Sequence, residues 1–162
     1  MSKRPLKHGP RPVLYDSGVM SRVLDDLLDT RLDDFAVAHE LILQSRDVFI
    51  SQTVTFELQP VLRVLGNRYP DKAIRLERAL LKFNQIDLDA RIGERAIAIK
   101  RGLEGVAFAD ATIAATALVY GLDLFTMNEG DFAVIPGLRL YKPKNYEELL
   151  ARLGVSKSRG KQ

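Results

Sequence analysis

Residues 105–132 read GVAFADATIAATALVYGLDLFTMNEGDF. Asp110 stands directly before an Ala-rich run, where an N-cap belongs, and Gly121 ends that run, where a C′ glycine belongs. The spacing predicts a helix between them. Leu122 to Thr126 is short and apolar, as a buried strand is. Asn128, Glu129 and Asp131 then follow in a polar loop. A strand entering a parallel sheet ends at the edge where the preceding helix began. Asp110 and the loop 127–131 are therefore expected at one edge, outside the carboxyl ends of the strands, where open parallel sheets place their sites.

Two earlier segments follow the same plan. Val13-Leu14-Tyr15 is an apolar run ending at Asp16, which predicts a first strand with a carboxylate at its C-terminal end. Ser17-Gly18 turns the chain into a helix of about 8 to 12 residues, with Val19, Met20, Val23, Leu24, Leu27 and Leu28 at helical spacing. A second helix is expected from Asp33 to Ser45. Val48-Phe49-Ile50 reads as the second buried strand, and Ser51 and Thr53 offer caps for the helix after it. Glu57 falls in the first turns of that helix, and Pro60 is expected to kink it or to push its start later.

Asp71 to Phe83 has the pattern of another amphipathic helix, with Ala73, Ile74, Leu76, Ala79 and Leu80 as its apolar positions. Ile86 and Leu88 flank Asp87 as a short strand or crossing segment. Asp89 or Ala90 opens a helix to Lys100. Beyond the central unit, Leu138 to Tyr141 reads as a final edge strand, and Asn145 caps a last helix, Tyr146 to Leu153. Strands alternating with helices predict an α/β sandwich around a central, mostly parallel sheet. With four or five short strands against about seven helices, it is helix-rich.

Composition narrows the chemistry. A chain of 162 residues with 46% hydrophobic content suits one globular domain. No run of 18 apolar residues predicts a membrane helix, and the charged N-terminus lacks a signal-peptide core. Cysteine is absent, which excludes disulfides and thiolate metal sites and fits a reducing cytoplasm. His8 and His39 are too scattered for a histidine-rich site, so a metal here would be held through oxygen, which favours Mg²⁺ or Mn²⁺. Residues 1–12 and 154–162 carry seven cations and no acid, which leaves 13–153 at −4 within a chain of net +3. The expected organisation is a flexible basic arm over 1–12, a domain over 13–153 and a flexible basic tail over 154–162. The tails read either as solvated ends or as contacts for phosphates.

By the same edge argument Asp16, Glu57 and Asp110 converge, and Asn128 and Asp131 supply a fourth position. Each has a plain structural reading too: Asp110 as a cap, Glu57 as a solvated helix residue, Asp131 as a turn residue. Asp16 resists that reading, because an acid ending a buried strand is costly without a partner. Crowded carboxylates raise one another's pKa unless a cation neutralises them, and Mg²⁺ or Mn²⁺ is the natural partner. Arg22, Arg46, Arg63 and Arg68 are candidates for guiding an anionic substrate to such a site.

YDSGVMSRVL from Tyr15, TFEL around Glu57 and FADATIAATALVYGLDLFTMNEGDF from Phe108 together resemble PIN-domain nucleases, in particular the ribonuclease toxins of bacterial VapBC toxin–antitoxin pairs. The resemblance covers residues 13 to about 143. The family usually has Asp-Thr-Asn or Asp-Thr-Ser where this chain has Asp16-Ser17-Gly18. The resemblance implies a three-layer αβα sandwich and a divalent-metal-dependent endoribonuclease that hydrolyses RNA phosphodiesters in the cytoplasm. Asp16 and Asp110 would be the main ligands of Mg²⁺ or Mn²⁺, with Glu57 completing the cluster, and Asp131 or Asn128 would orient a water or a second metal. It also implies a homodimer silenced by an antitoxin that inserts near the acids, in a groove of the helices 17–45 and 53–69. Two other functions stay open. One is a PIN-like domain without catalysis that binds RNA or protein, suggested by Gly18. The other is a metal-dependent phosphotransfer enzyme or phosphatase, which usually has a second acid two residues after the first, where this chain has Gly18.

Overall fold

Val13, Leu14 and Tyr15 are wholly buried. Successive strand residues point to opposite faces, so this strand is covered on both sides, as the centre of a parallel sheet must be. In the computed structural model the described residues are 11–28, 47–81 and 83–142. The expected helices 33–45 and 146–153, the tail 154–162 and all but the last two residues of the arm 1–12 lie outside them.

The strands are β1 (Val13–Tyr15), β2 (Val48–Ser51), β3 (Asn84–Ile86) and β4 (Asp123–Phe125). The helices are α1 (Ser17–Leu28), α2 (Gln52–Arg68), α3 (Pro70–Leu80), α4 (Ala90–Gly102), α5 (Phe108–Tyr120) and α6 (Glu129–Ala133). The sheet is four-stranded, parallel throughout and ordered β3-β2-β1-β4. The chain leaves β1 for β2 and β3 on one side and returns to β4 on the other, so its topological switch point is at β1. In register, Tyr15 lies beside Ile50 and Phe125. The helix-rich α/β sandwich expected from the sequence is the observed fold. No described helix is long and apolar enough to cross a membrane.

Helix α5 is the most deeply set: every residue from Ala111 to Ala117 is buried. Small side chains permit that approach, and α5 packs on α4 and touches α2. Its two buried hydroxyls are satisfied within the helix, Thr112 donating to the Ala109 carbonyl at 2.7 Å and Thr116 to the Thr112 carbonyl at 2.8 Å. Gly121 ends the helix at φ 65° in the left-handed region, as a C′ glycine does. The side chain of Ser51 caps α2 by accepting the Val54 N–H at 3.2 Å, and that of Asp89 caps α4 by accepting the Ile92 N–H at 3.0 Å.

Five expectations change. Asp110 does not cap α5: the helix begins two residues earlier, with Ala107 as an N-cap that offers no side-chain acceptor, which puts Asp110 in the first turn. Pro60 does not push back the start of α2, which runs from Gln52 to Arg68 through it. Pro60 is exposed, so the backbone hydrogen bond it forgoes is on the solvent side. The third strand is Asn84–Ile86 rather than a segment centred on Asp87, and α3 stops at Leu80, leaving Ile74 on its exposed side. Leu138 to Tyr141 is not a full strand. It makes a single parallel bridge, Leu140 to Leu124, beside β4.

Two glycines separate backbone conformation from space. Gly121→Ala places a side chain at φ 65° and is expected to lower stability by about 1–2 kcal/mol. Gly93, inside α4, has ordinary φ and nothing within 4 Å of an added Cβ. Gly93→Ala is expected to raise stability by about 0.5–1 kcal/mol. Urea unfolding of the two variants checks both signs.

Candidate active site

The end of β1 sets the site. The Asp16 N–H donates to the Phe125 carbonyl at 2.9 Å, extending the β1–β4 pairing one step beyond both strands. That step brings Asp16 level with Thr126. Asp16 is 6% exposed and Thr126 4%. One carboxylate oxygen, Oδ1, accepts the Ser17 N–H at 2.8 Å, and the other, Oδ2, accepts the Thr126 hydroxyl at 2.7 Å. One residue back on each strand, Tyr15 and Phe125 meet edge to face with ring centroids 5.4 Å apart.

Thr126 does more than hold Asp16. Its Oγ1 also accepts the Asn128 N–H at 3.0 Å, and the Asn128 side-chain amide donates to the Asp131 carboxylate. Asn128 and Asp131, alternatives for one position in the sequence, therefore belong to a single hydrogen-bonded chain that ends on Asp16. Sequence reasoning missed Thr126. Its only signal was that it ends an apolar run, and its partnership with Asp16 depends on the strand register.

The remaining acids come from the two helices that start at this edge. Glu57 is exposed on α2, and Asp110 is partly buried in the first turn of α5. The hydroxyls of Thr53 and Thr112, 2.9 Å apart, tie α2 to α5. The Asp110 carboxyl is pushed above its ordinary value, chiefly by burial and then by the charges of Asp16, Asp131 and Glu57. Asp110 therefore feels the other three carboxylates at this edge, where the sheet topology puts them. On the rim, Lys142 pairs with Glu129 at 3.3 Å. Arg63 and Arg68 are exposed along α2, whereas Arg46 and the side chain of Arg22 lie outside the described residues.

An all-oxygen donor set suits a hard divalent cation, and the repulsion at Asp110 is what such an ion relieves. Among the described residues, however, no three His, Cys, Asp or Glu side chains are grouped so that they could hold an ion. Asp16 is engaged by Ser17 and Thr126, and Asp131 by Asn128. The acids fit Mg²⁺ or Mn²⁺ in charge and donor type, and side-chain rotation would be needed for them to share one.

Two stability predictions follow from this geometry. A carboxyl with a raised folded pKa contributes stability that is present below its unfolded value and lost as pH rises through the folded one. Asp110→Asn is therefore expected to be more stable than the wild type at pH 7. The gain should shrink as pH falls and vanish below the unperturbed value of 3.8, as thermal melts across that range would show. Thr126→Val keeps the shape and removes the donor to a buried carboxylate. It is expected to cost about 1.5–3 kcal/mol in urea unfolding.

No curated protein matches the sequence. Among solved structures, a toxin–antitoxin complex from Klebsiella pneumoniae is 30% identical, with TM-score 0.56 over 78% of this chain and 94% of that one. FitAcB from Neisseria gonorrhoeae is 25% identical, with TM-score 0.64 over 82% of this chain and 99% of that one. VapBC2 from Rickettsia felis, bound to a DNA fragment from their promoter, shares the fold at 21% identity, with TM-score 0.68 over 80% of this chain and 96% of that one. The PIN domain pattern matches residues 13–138, which spans the whole sheet and every acid described above. A parallel sheet switching at β1, with its carboxylates gathered at that switch, is thus the local expression of a wider likeness, and the chain belongs to the PIN-domain family.

Proposed function

We propose that this protein is a divalent-metal-dependent endoribonuclease and the toxin of a toxin–antitoxin pair. The observation that carries the reading is the crowding at Asp110, where burial and the charges of Asp16, Asp131 and Glu57 act together on one carboxyl at the carboxyl edge of the sheet. Such crowding has a use where a cation and an anionic substrate meet. The solved relatives add the biological setting, since the one that is 30% identical is described as a toxin–antitoxin complex.

In this reading Asp16, Asp110 and Glu57 would hold Mg²⁺ or Mn²⁺. When bound, such an ion lowers the pKa of a water and offsets charge building on the leaving oxygen. Asp16 is oriented by the Ser17 N–H and the Thr126 hydroxyl. Asp131, which accepts a hydrogen bond from Asn128, would orient the attacking water and accept its proton. The water oxygen bonds to phosphorus as the bond to the leaving ribose oxygen breaks, and that oxygen takes a proton from solvent. The basic arm and tail would add sequence-independent attraction for phosphates. A homodimer and a protein antitoxin complete the proposal.

A second reading, a PIN-fold module that binds without cutting, is favoured by one observation: among the described residues no three acids are grouped to hold an ion. Cleavage of a mixed cellular RNA pool separates the two. The purified protein is expected to cut with Mg²⁺ or Mn²⁺ and not with EDTA. Asp16→Ala and Asp110→Ala are each expected to lose at least about a hundredfold in rate, the scale of one preorganised electrostatic contact. Thr126→Val, acting through Asp16, should lose about 10- to 100-fold. Equal inertness of wild type and variants would favour the binding module.

A further inference from the structure

Helix α5 starts without a side-chain cap. Its N-cap is Ala107, whereas Ser51 and Asp89 cap α2 and α4 through their side chains. The first turn of α5 nevertheless carries Asp110, and the charges of Asp16, Asp131 and Glu57 act against that carboxyl. The start of the helix must be held from elsewhere. Lys100, half-buried in the last turn of α4, is placed to do so. Its ammonium donates to the Glu104 carbonyl at 2.9 Å and to the Val106 carbonyl.

These two bonds span the loop between α4 and α5. The Leu103 N–H donates to the Ile99 carbonyl at 2.9 Å, which closes α4, and the Val106 N–H donates to the Leu103 carbonyl at 3.1 Å, which folds the loop back. Val106 directly precedes the N-cap, and its side chain is buried. It is thus pinned twice, by packing and by the ammonium. One residue on, the Ala107 carbonyl accepts the Ala111 N–H at 2.9 Å, the first bond of α5. Asp110 lies within the turn that this bond closes. A hydrogen bond from an ammonium is charge-assisted and stronger than a neutral one, so it can stand in for a missing cap. We infer that Lys100 is a positioning residue: it fixes the start of α5 through the carbonyls of Glu104 and Val106, and so holds Asp110 where a divalent cation would meet it. Lys100 acts through the backbone alone, and no step of the reaction uses its proton. The inference rests on the metal reading of the carboxylates and deepens it by naming what keeps one of them in place.

The test removes the donor and then supplies the cap that α5 lacks. Lys100→Met keeps the aliphatic stem without the ammonium, and Lys100→Arg keeps a charged donor. Lys100→Met combined with Ala107→Ser adds a side-chain acceptor at the N-cap. Lys100→Gln, shorter and uncharged, is read in parallel so that the result does not hang on one variant folding, which thermal melts check. Mn²⁺ is titrated into each full-length protein and followed by the electron spin resonance of the free ion, with no RNA present. Hydrogen exchange at the Ala111 and Thr116 amides reports the start and the middle of α5. Lys100→Met is expected to bind Mn²⁺ about tenfold more weakly, the scale for a residue that orients a metal ligand. Its Ala111 amide should exchange about fivefold faster, the scale of one lost cap, with Thr116 unchanged. Lys100→Arg should stay near the wild type, and Ala107→Ser should return most of both losses. Charge alone predicts the opposite sign, since removing a cation near the acids would tighten Mn²⁺ binding. Mn²⁺ affinity that is unchanged or raised in Lys100→Met therefore overturns the inference, as does a loss that Ala107→Ser leaves in place. A wild type that binds no Mn²⁺ removes the metal reading instead. Faster exchange at Ala111, reversed by Ala107→Ser, would then keep Lys100 as the anchor of Asp110, and unchanged exchange would remove that as well.

Discussion

The Thr126 hydroxyl reaches the Asp16 carboxylate at 2.7 Å across the crevice between β1 and β4. Neither residue could be buried alone, since an unpaired carboxylate in an apolar setting is expensive. Their meeting needs β1 and β4 to be neighbours in one register, Tyr15 beside Phe125. That in turn needs the chain to pass through β2 and β3 on one side and return on the other. A one-residue slip of β4 would turn Thr126 to the opposite face and leave Asp16 without it. The sheet order and the site are therefore held by the same hydrogen bond, and Asn128 and Asp131 are joined to it through the same oxygen.

The helices face a different problem, which is repulsion. Asp110 is held near three other acids and partly out of water, and both effects oppose its charge. Something must keep α5 where it is. The run of small residues from Ala111 to Ala117 is buried throughout, and the Thr53–Thr112 contact clamps α5 to α2 close to the acids. The core next to the site thus resists the spreading that like charges favour. A divalent cation would remove the conflict, which is why strain of this sign is informative where a salt-bridged acid would not be. Asp89 makes the comparison. It is also an acid at a helix start, but its carboxyl is lowered by the Ile92 N–H and by Arg91, as a capping residue's should be.

Much of this was legible because strand ends are written in short apolar runs. Val13 to Tyr15 is the first strand as expected, the second runs one residue past Ile50 to Ser51, and Asp16, Glu57, Asp110 and Asp131 fell at one edge by topology alone. The start of α5 was not legible. Capping rules look for a side-chain acceptor, and Asp110 was the only one in view. The actual cap, Ala107, has none, and its loop is fastened by Lys100 from the preceding helix. A later start of α2 at Pro60 was not needed for a similar reason: the rule concerns a helix in isolation, and here the lost bond faces water. Thr126 was invisible because its role is relational. A threonine after an apolar run means little until the register sets it beside Asp16.

Negative charge stands on both sides of Asp110. Toward β1, Asp16 and Asp131 are held by directed hydrogen bonds. Toward the loop after α4, Glu104 and Asp131 line a groove otherwise made of backbone, glycine and apolar side chains. Lys100 holds that loop. Its ammonium is spent on the carbonyls of Glu104 and Val106, so it fixes the wall without lining the groove. The loop that Lys100 fastens runs directly into the first turn of α5, so the same cation that closes the loop also helps to fix where Asp110 stands.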